Sequence, residues 1–573
     1  MTLRECSARR FPGNFTTTSD EPGALCDVLG FAARGNRPRG ALSGRTETPT
    51  GRARAVSHVP GGDEPDSDDR VRVGGSGEGA HMGMEQIRRW ESGALAHGVA
   101  DPFGQGPLPW LRGGEFYFDG TGRIVPWYVD PVPAPAGGRS PAPRHAGPRS
   151  ADDVRRQIKG FTSTGAVAPG EALDFRITVD PPQQFGVDVY RIGHYAGDGA
   201  SKITTSPRLS GIVQPPPLTV DRTVSCHHWW LSWRLQIPTY WSLGAYVAVL
   251  TTADGYRSHI PFVVRDNHPA DLLLVLPDIT WQAYNLYPED GRTGASFYHA
   301  WDEEGRLLGE SDAATTVSFD RPFAGAGLPL HVGHAYDFIR WAERYGYDLA
   351  YADTRDLHAG RIDPSRYRGL VFPGHDEYWT TAMRGAAELA RDTGTSLVFL
   401  SANTMYWQSE LAPSPAGPDR LLTCRKRRGP GRAARWRDVG PPEQQLLGIQ
   451  YAGRVPEPAP MVVRNADHWL WDATGAGEGD ELPGLVAGEA DRYHPRTALP
   501  EHTRRILLSH SPYVDAEGTK RHQETSLYRA PSGALVFAAG TFAWSPALDR
   551  PGHVDSRIQR ATANLLDRIC KRD

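Results

Sequence analysis

The pattern of apolar and polar positions changes character near residue 267. Between 151 and 266 the chain carries short alternating runs, among them EALDFRITVD, GVDVYRIGHY and AYVAVLTT, which are separated by Gly, Pro and Asp. Runs of this length, with turn residues at intervals of about 10 positions, indicate antiparallel strands. We therefore predict an all-β sandwich domain over 151–266.

From 267 to 573 the patterns of strands and helices alternate. DLLLVLPD, GLVFPG, SLVFLSAN and ALVFAAG are continuous apolar runs, which are typical of parallel strands buried on both faces. HAYDFIRWAERYG and TAMRGAAELARDTG have the apolar spacing of helices. This alternation predicts an α/β catalytic-type C-terminal domain with a parallel, Rossmann/glutamine-amidotransferase-like sheet. The chain has no GxGxxG after its first strand and no GxxxxGK[ST], and the turns carry no Cys for amidotransferase chemistry.

The first 150 residues lack this periodicity. Residues 1–81 are rich in Gly, Arg, Ser, Pro and Asp, and they predict a disordered tail. Met82 and Met84 directly precede the first structured-looking sequence, so a second interpretation is that translation starts there and the tail is not made. Residues 82–150 predict an extended segment that ends in a Pro/Gly linker.

Composition adds mainly exclusions. The 573 residues carry a net charge of -4 with mixed signs, and no apolar run approaches the roughly 18 residues of a membrane span. Five scattered cysteines without a CxxC predict neither a disulfide framework nor a thiolate zinc site. We expect a cytoplasmic protein without nucleic-acid or membrane partners, for which a homo-oligomer stays open.

Two Tyr-Trp pairs stand after consecutive strand-like runs. LVFPGHDEYW ends at 379 and LVFLSANTMYW ends at 407, so Tyr378 and Tyr406 occupy matching positions. Ligands of open α/β sheets bind beyond the carboxyl ends of the strands, and neighbouring strands lie about 4.8 Å apart. The two phenols could therefore meet at one point, with DITWQAYN (278–285) lining the same mouth.

Paired phenols have two interpretations. A tyrosine has a pKa of about 10, so a phenolate needs a strong cation beside it. Phenolates and carboxylates are hard oxygen donors that suit ferric iron, whereas zinc more often takes His or Cys. GLVAGEADRY offers Glu489 and Asp491 in a Gly-flanked turn as carboxylates. The other interpretation is amphipathic packing of the tyrosines, and the pattern alone leaves it open.

An ordered run of motifs resembles a known family. GVDVYRIGHY, LPDITWQAYN, VSFDRPF, GHDEYWTTAMR, SANTMYWQ, LLGIQY, GLVAGEADR and APSGALVFAAGTFAWSPALD are together similar to the large (β) subunit family of N,N-dimethylformamidase, over about 151–573. The resemblance implies an amidohydrolase that cleaves a small N-substituted amide at a mononuclear Fe3+ held by two Tyr and one Glu. It also implies a separate small subunit.

Carried onto this sequence, the resemblance assigns the metal ligands to Tyr378, Tyr406 and Glu489. Tyr367, just before the same strand, competes with Tyr378, and Asp491 competes with Glu489.

The family pattern also places an acidic residue before PSGALVF. This chain has Arg529 there, and its nearest acid is Glu524. A relative with a different substrate, or without activity, therefore stays an open alternative.

Three further residues are catalytic candidates. His375 is placed to protonate the leaving amine, and Glu377 is a second candidate acid. Glu377 could instead serve as a helix N-terminal acid favoured by the dipole. Asn403 could donate to the developing oxyanion. Simple loop-structuring roles stay open for His375 and Asn403.

Two other functions compete with amide hydrolysis. The 16 Trp and the joining of a sandwich to a catalytic-type domain also suit a carbohydrate-binding or carbohydrate-active protein, and a non-catalytic scaffold of the same fold is the third hypothesis. The basic run CRKRRGPGRAARWR (424–437) could bind an anion, but we interpret it as a solvated insertion.

Overall fold

The computed structural model of the protein describes residues 116–118, 124–126 and 149–571, except 267, 427–434, 501–502 and 516–517. All of these residues belong to one compact unit, Glu78–Asp573. The predicted tail (1–81) and most of the predicted extended segment (82–150) lie outside the described residues. No helix in the described part of the chain is both long and apolar enough to cross a membrane.

The strands up to residue 264 form short sheets and one larger one. They are β1 (Phe116–Phe118), β2 (Ile124–Pro126), β3 (Arg149–Ser150), β4 (Lys159–Thr162), β5 (Ala166–Val167), β6 (Ala172–Thr178), β7 (Gln184–Ile192), β8 (Ala200–Thr205), β9 (Leu209–Ser210), β10 (Leu218–Val220), β11 (Thr223–Ser225), β12 (Trp233–Gln236), β13 (Gly244–Thr252) and β14 (Tyr256–Val264).

Two of these sheets share a core between 149 and 264, which we call the two-sheet region. One sheet has the order β12-β6-β4, and the other has the order β3-β14-β13-β7-β8 with β5 and β9 beside it. Strand β13 alternates between two cores: Tyr246 and Leu250 face the first sheet, whereas Val247 and Val249 pack with residues of the C-terminal part. The strand is therefore buried on both faces, which explains why its sequence is nearly all apolar.

The strands after residue 264 are β15 (Leu272–Leu276), β16 (Ala300–Trp301), β17 (Leu307–Leu308), β18 (Thr316–Ser318), β19 (Leu349–Asp353), β20 (Gly369–Phe372), β21 (Tyr378–Trp379), β22 (Ser396–Phe399), β23 (Trp407–Gln408), β24 (Glu410–Ser414), β25 (Gly417–Thr423), β26 (Gln450–Val462), β27 (Glu481–Arg492), β28 (Arg505–Leu507), β29 (Ser511–Val514), β30 (Lys520–Gln523), β31 (Ser526–Arg529) and β32 (Leu535–Ala538). The α-helices are α1 (Asp278–Tyr284), α2 (Val332–Arg344), α3 (Thr354–His358), α4 (Thr381–Asp392), α5 (Trp436–Val439), α6 (Gln444–Leu447), α7 (Pro546–Asp549) and α8 (Ser556–Cys570).

A seven-stranded sheet organises the C-terminal part, in the order β19-β15-β20-β22-β32-β31-β28. The first five strands are parallel, and β31 and β28 run antiparallel to their neighbours. We call the edge at which β15, β20, β22 and β32 end the carboxyl edge. Because Ser526 pairs with Ala538, the amino end of β31 also lies at this edge.

Helices cover both faces of this sheet. Leu272 and Leu274 of β15 pack in the core that contains residues of α2 and α8, whereas Leu273 and Val275 pack in the core that contains residues of α4. Alternate residues of the strand point to opposite faces, so both apolar sets are buried. Helix α4 begins where the Thr380 side chain accepts a hydrogen bond from the backbone N–H of Met383 (3.2 Å).

Candidate active site

The loop after β20 brings the first predicted site residues to the carboxyl edge. Thr280 of α1 holds this loop, because its hydroxyl accepts the backbone N–H groups of Glu377 (3.0 Å) and Tyr378 (3.1 Å) and donates to Asp376 (3.2 Å). These contacts turn the side chains of His375 and Glu377 inward, where both are buried. Helix α1 therefore positions the loop from the neighbouring strand.

Four side chains around the Glu377 carboxylate form what we call, together with Glu377, the phenol cluster: Tyr284, Tyr298, Tyr378 and His375. Oε2 of Glu377 accepts from the hydroxyls of Tyr298 (2.5 Å) and Tyr284 (2.6 Å). The Tyr378 hydroxyl donates to that of Tyr298 (2.7 Å), and Nε2 of His375 lies 3.0 Å from the Tyr284 hydroxyl and 3.3 Å from Glu377. Three phenols, one carboxylate and one imidazole thus share a continuous hydrogen-bonded chain.

The members of the phenol cluster differ in how their pKa values are shifted. Burial alone would raise the pKa of Glu377, but His375, Lys426 and the Tyr284 hydroxyl lower it to about 2. Burial opposes the charged form of His375, yet Glu377 and Glu489 raise its pKa above the ordinary value. Burial raises the pKa of Tyr378 well above 10. The shifts of Glu377 and His375 therefore favour an ion pair between the two side chains, and burial favours the neutral form of Tyr378.

Glu489 reaches the cluster from β27. Its Oε2 is buried without a hydrogen-bond partner and lies 3.9 Å from Nδ1 of His375. Burial raises the pKa of Glu489 to about 7, although His375 lowers it in part. The preceding residue, Gly488, has a φ of 69°, and a Cβ there would lie 2.7 Å from the Phe542 ring that packs on His375. A glycine is needed at this close approach.

The two carboxylates that compete in the sequence have different contacts. Oδ1 of Asp491 accepts the backbone N–H of Asn403 (2.8 Å), so Asp491 holds the loop after β22. Asn403 itself adopts a φ of 54°, and its Nδ2 donates to Oε1 of Glu377 (3.2 Å). Of the two acids, Glu489 is the one with an unpartnered oxygen.

The tyrosines of the sequence analysis occupy three places. The Tyr378 side chain lies in the phenol cluster. The Tyr406 ring packs against Tyr451 (5.2 Å), and the Arg437 guanidinium lies over it (5.1 Å). Tyr367 precedes β20 and therefore lies at the opposite edge of the sheet, where its hydroxyl is buried without a hydrogen-bond partner.

Tyr451 connects Tyr406 to the site. Burial raises the pKa of Tyr451, and the charges of Glu489 and Glu377 raise it further, so Tyr451 interacts electrostatically with both carboxylates. The structure therefore brings His375, Glu377, Asn403 and Glu489 into direct contact and joins Tyr378 to them through the Tyr298 hydroxyl. It places Tyr406 one ring further out.

The donor set suits a hard metal ion. Phenols and carboxylates supply oxygen ligands, and the buried Oε2 of Glu489, which has no hydrogen-bond partner, lies 3.9 Å from Nδ1 of His375. A buried carboxylate without a donor is costly, and a cation would remove that cost. The residues present therefore fit the ferric ion that the sequence resemblance implies.

Several site residues were not found from the sequence. Tyr298 lies in the loop between α1 and β16, where no motif marks it, although Tyr284 falls in the predicted DITWQAYN lining. Lys426 belongs to the run interpreted as a solvated insertion, yet its Nζ lies 3.4 Å from the centroid of the Tyr298 ring and 3.0 Å from Glu310. The predicted solvated insertion itself falls largely on 427–434, outside the described residues.

The Arg529 question has a structural answer. Arg529 pairs with Leu535 at the far end of β31, so it lies away from the carboxyl edge, and its Nη1 donates to the carbonyl of Gly533 (2.9 Å). Glu524 precedes the amino end of β31 and therefore lies at the carboxyl edge. Arg529 does not belong to the phenol cluster.

The fold and site together define a protein with helices on both faces of a mixed sheet and a buried phenol–carboxylate cluster at the carboxyl edge. The chain belongs to the family described as N,N-dimethylformamidase beta subunit-like, C-terminal, whose model matches residues 186–557. The resemblance stated from the motifs is thereby confirmed.

Similarities to individual proteins include one relative in sequence and one solved structure. The N,N-dimethylformamidase beta subunit of Paracoccus aminophilus is 24% identical over 277 aligned positions, which cover 41% of this chain and 36% of that protein. The aligned part of the chain thus spans about a third of that relative. A cycloisomaltooligosaccharide glucanotransferase from Paenibacillus sp., solved with cycloisomaltoheptaose, matches 23% of this chain and 17% of its own at 14% identity and a TM-score of 0.13. That value is too low to support a common fold.

Proposed function

We propose that this protein is an amide hydrolase that cleaves a small N-substituted amide at the phenol cluster. The observation that carries the proposal is the buried set of hard donors at the carboxyl edge, in which Glu489 has an oxygen without a partner. Membership of a dimethylformamidase-like family supports amides as the substrate class. In open α/β sheets this edge is also where ligands bind.

Tyr378, Tyr406 and Glu489 would hold a mononuclear Fe3+. When bound, the ion supplies a Lewis acid that polarises the amide carbonyl and lowers the pKa of water. Tyr298 is an additional phenol beside Tyr378, whereas Tyr406 lies beyond Tyr451. Single Tyr→Phe substitutions at 298 and 406 therefore decide which phenol is the second ligand.

The chain's own residues would manage the protons. Hydrolysis removes one proton from water and delivers one to the leaving nitrogen, so no net proton is consumed. Burial opposes the charged form of His375, but Glu377 raises its pKa, which suits the imidazole to donate a proton to the departing amine. Tyr284, in contact with both His375 and Glu377, continues the chain along which a proton returns.

Asn403 has a positioning role in this proposal. Its side-chain amide already donates to Glu377, so it keeps the carboxylate pointed at the two phenols. A role as an oxyanion donor would require this hydrogen bond to be exchanged for one to the substrate.

Metal content and visible absorption of the purified full-length chain test the iron site. We expect about one iron per chain and a tyrosinate-to-iron charge-transfer band that Tyr378→Phe abolishes. Tyr367→Phe is the matched control, since that phenol lies at the opposite edge and its hydroxyl makes no hydrogen bond. Colourless, iron-free protein after iron-supplemented expression would overturn the site.

Amide hydrolysis is tested separately, by release of amine from a panel of formamides and acetamides with one or two N-alkyl groups. The expected result is turnover by the iron-loaded protein and loss of turnover in Glu489→Gln. Turnover that is equal in Glu489→Gln and wild type would reject the phenol cluster as the active site.

The relative from Paracoccus aminophilus is named a beta subunit, and we propose that this chain likewise assembles with a separate small subunit. Affinity purification from the native cell is expected to recover a second, smaller chain in constant proportion. Full activity of the chain alone, with one species in light scattering, would contradict this.

A further inference from the structure

A second group of metal-ligating side chains lies outside the phenol cluster. His510, His522 and Glu524 place one possible ligand atom each within 4.8 Å of one another. Nδ1 of His510 lies 3.1 Å from Oε1 of Glu524, and Nε2 of His522 lies 3.7 Å from the same oxygen. The two imidazole rings are 4.3 Å apart.

The hairpin of β29 and β30 produces this arrangement. Ser511 pairs with Gln523 and Pro512 with His522, so the same register places His510 opposite Glu524. His522 and Glu524 are two positions apart and share a face of their strand. Ser511 and Gln523 point to the other face, where both are buried. The trio is therefore set by strand register rather than by flexible loops.

We propose that His510, His522 and Glu524 form a binding site for a divalent transition-metal ion of the Zn2+ type. Tetrahedral zinc with ligands at about 2.0–2.1 Å needs donor atoms roughly 3.3 Å apart, and the two measured separations lie on either side of that value. Calcium and magnesium need several oxygen ligands, and this trio offers a single carboxylate. Two imidazoles and a carboxylate with an open position are a zinc set.

A backbone hydrogen bond orients the Glu524 carboxylate. Oε2 of Glu524 accepts the backbone N–H of Tyr493 (2.8 Å), which orients Oε1 toward the histidines. The Glu524 side chain is 7% exposed, whereas those of His510 and His522 are 45% and 28% exposed. The site is thus anchored on its buried side and open to solvent on the other, which gives the ion an entry path and a free coordination position.

Two arginines near the trio favour a transition-metal ion over a cation held by charge alone. Arg505, whose guanidinium lies over the Tyr493 ring at 3.6 Å, and Arg492 both act electrostatically on members of the trio. They offset the single negative charge of Glu524, so Coulomb attraction alone does not hold a cation there. Binding has to come from the imidazole nitrogens, which favour transition metals.

Zinc equivalents counted by equilibrium dialysis of the full-length protein test this site. We expect His522→Asn and Glu524→Gln to bind one Zn2+ fewer than wild type, or the same ion at least about tenfold more weakly. His268→Asn, at an exposed histidine elsewhere, is the control and keeps the wild-type count. Equal counts in wild type and in both variants would overturn the proposal.

A spectroscopic readout on the wild type covers the case in which a variant misfolds. Co2+ titrated into the wild-type protein is expected to give the visible bands of tetrahedral cobalt, and equimolar Zn2+ should remove them. Absence of these bands would also overturn the proposal. The inference does not rest on the proposed amidase: Tyr378→Phe should keep this zinc equivalent, and His522→Asn should keep the iron band.

Discussion

Two polar clusters lie side by side at the carboxyl edge of the seven-stranded sheet, and they handle their charges in opposite ways. In the first, which we call the arginine cluster, Asp278, Asp353 and Asp356 surround Arg355. Nε of Arg355 lies 2.5 Å from Asp278, and the Thr354 hydroxyl donates to the same carboxylate (2.6 Å). In the second, the phenol cluster, Glu377 is hydrogen-bonded by phenols and an imidazole, and Glu489 keeps an oxygen without a partner.

This difference separates structural from chemical roles. A carboxylate paired with a buried arginine is satisfied, and it holds α1 and α3 to the ends of β15 and β19. A buried carboxylate oxygen without a hydrogen-bond partner is unfavourable for folding, and such groups are concentrated at functional sites.

Arg355→Met should destabilise the protein by about 3–5 kcal/mol, because it leaves Asp278 buried without its cation. Chemical denaturation followed by circular dichroism measures the change. Arg361→Met is the control, since Arg361 pairs with Asp356 at a more exposed position and should cost about 1 kcal/mol or less. If the Arg355 variant is as stable as wild type, the arginine cluster is not a structural clamp.

Glu489→Gln should show the reverse pattern. Amide turnover should fall by about 10²–10³-fold, while the free energy of unfolding should change little, since Oε2 of Glu489 has no hydrogen-bond partner and burial opposes the charge of the carboxylate. Asp491→Ala, which removes the acceptor of the Asn403 backbone N–H, should instead lower stability by about 1–3 kcal/mol. If Glu489→Gln lowers stability as much as Asp491→Ala does, Glu489 has a structural role and the proposed difference between the two acids is wrong.

His259 is a buried histidine away from both clusters, and it makes the stability of the fold depend on pH. Burial lowers the pKa of His259 to about 4, from an ordinary value of 6.5. Between pH 6.5 and pH 4 the unfolded chain binds more protons at His259 than the folded protein does. The contribution of His259 to the free energy of unfolding is therefore complete above pH 6.5 and is lost as the pH falls to 4. The loss amounts to about 3 kcal/mol.

Wild type and His259→Gln compared by urea denaturation at pH 7 and pH 4.5 measure this term. The difference in stability between the two pH values should be smaller in the variant. Identical pH slopes would show that His259 is not held neutral.

Tyr284→Phe should have the smallest effect on stability, about 1 kcal/mol, because it removes one hydroxyl that contacts Glu377 and His375. Turnover should fall by about tenfold, and the pH profile of kcat should shift, since the proton chain is interrupted. A changed KM with an unchanged pH profile would indicate a packing role only.

The sequence was informative where the signal is local. The continuous apolar run DLLLVLPD predicts a strand buried on both faces, and β15 packs in two cores on its two faces. Of the residues named from the sequence, His375, Glu377, Asn403 and Glu489 contact one another in the structure. Tyr378 is joined to them through the Tyr298 hydroxyl, and Tyr406 packs on Tyr451. They could be named because each follows a recognisable strand or glycine turn in a family motif.

The remaining features depend on contacts between distant segments. Tyr298 lies 80 positions from Tyr378 and reaches it through a hydrogen bond that no local pattern encodes. The trio of His510, His522 and Glu524 depends on hairpin register, which places positions 14 apart opposite each other.

The family, the strands with two apolar faces and most of the acids and phenols of the candidate site can be predicted from the sequence, because periodicity and motif order are properties of neighbouring residues. Packing between distant segments is what places Tyr378 rather than Tyr367 at the cluster and Arg529 at the far edge. It also gives Asp491 the backbone N–H of Asn403 and leaves Oε2 of Glu489 without a hydrogen-bond partner. The physical reason is that a side chain's role depends on which end of its strand it leaves and on which donors already occupy it, and both are set by packing between segments far apart in the chain.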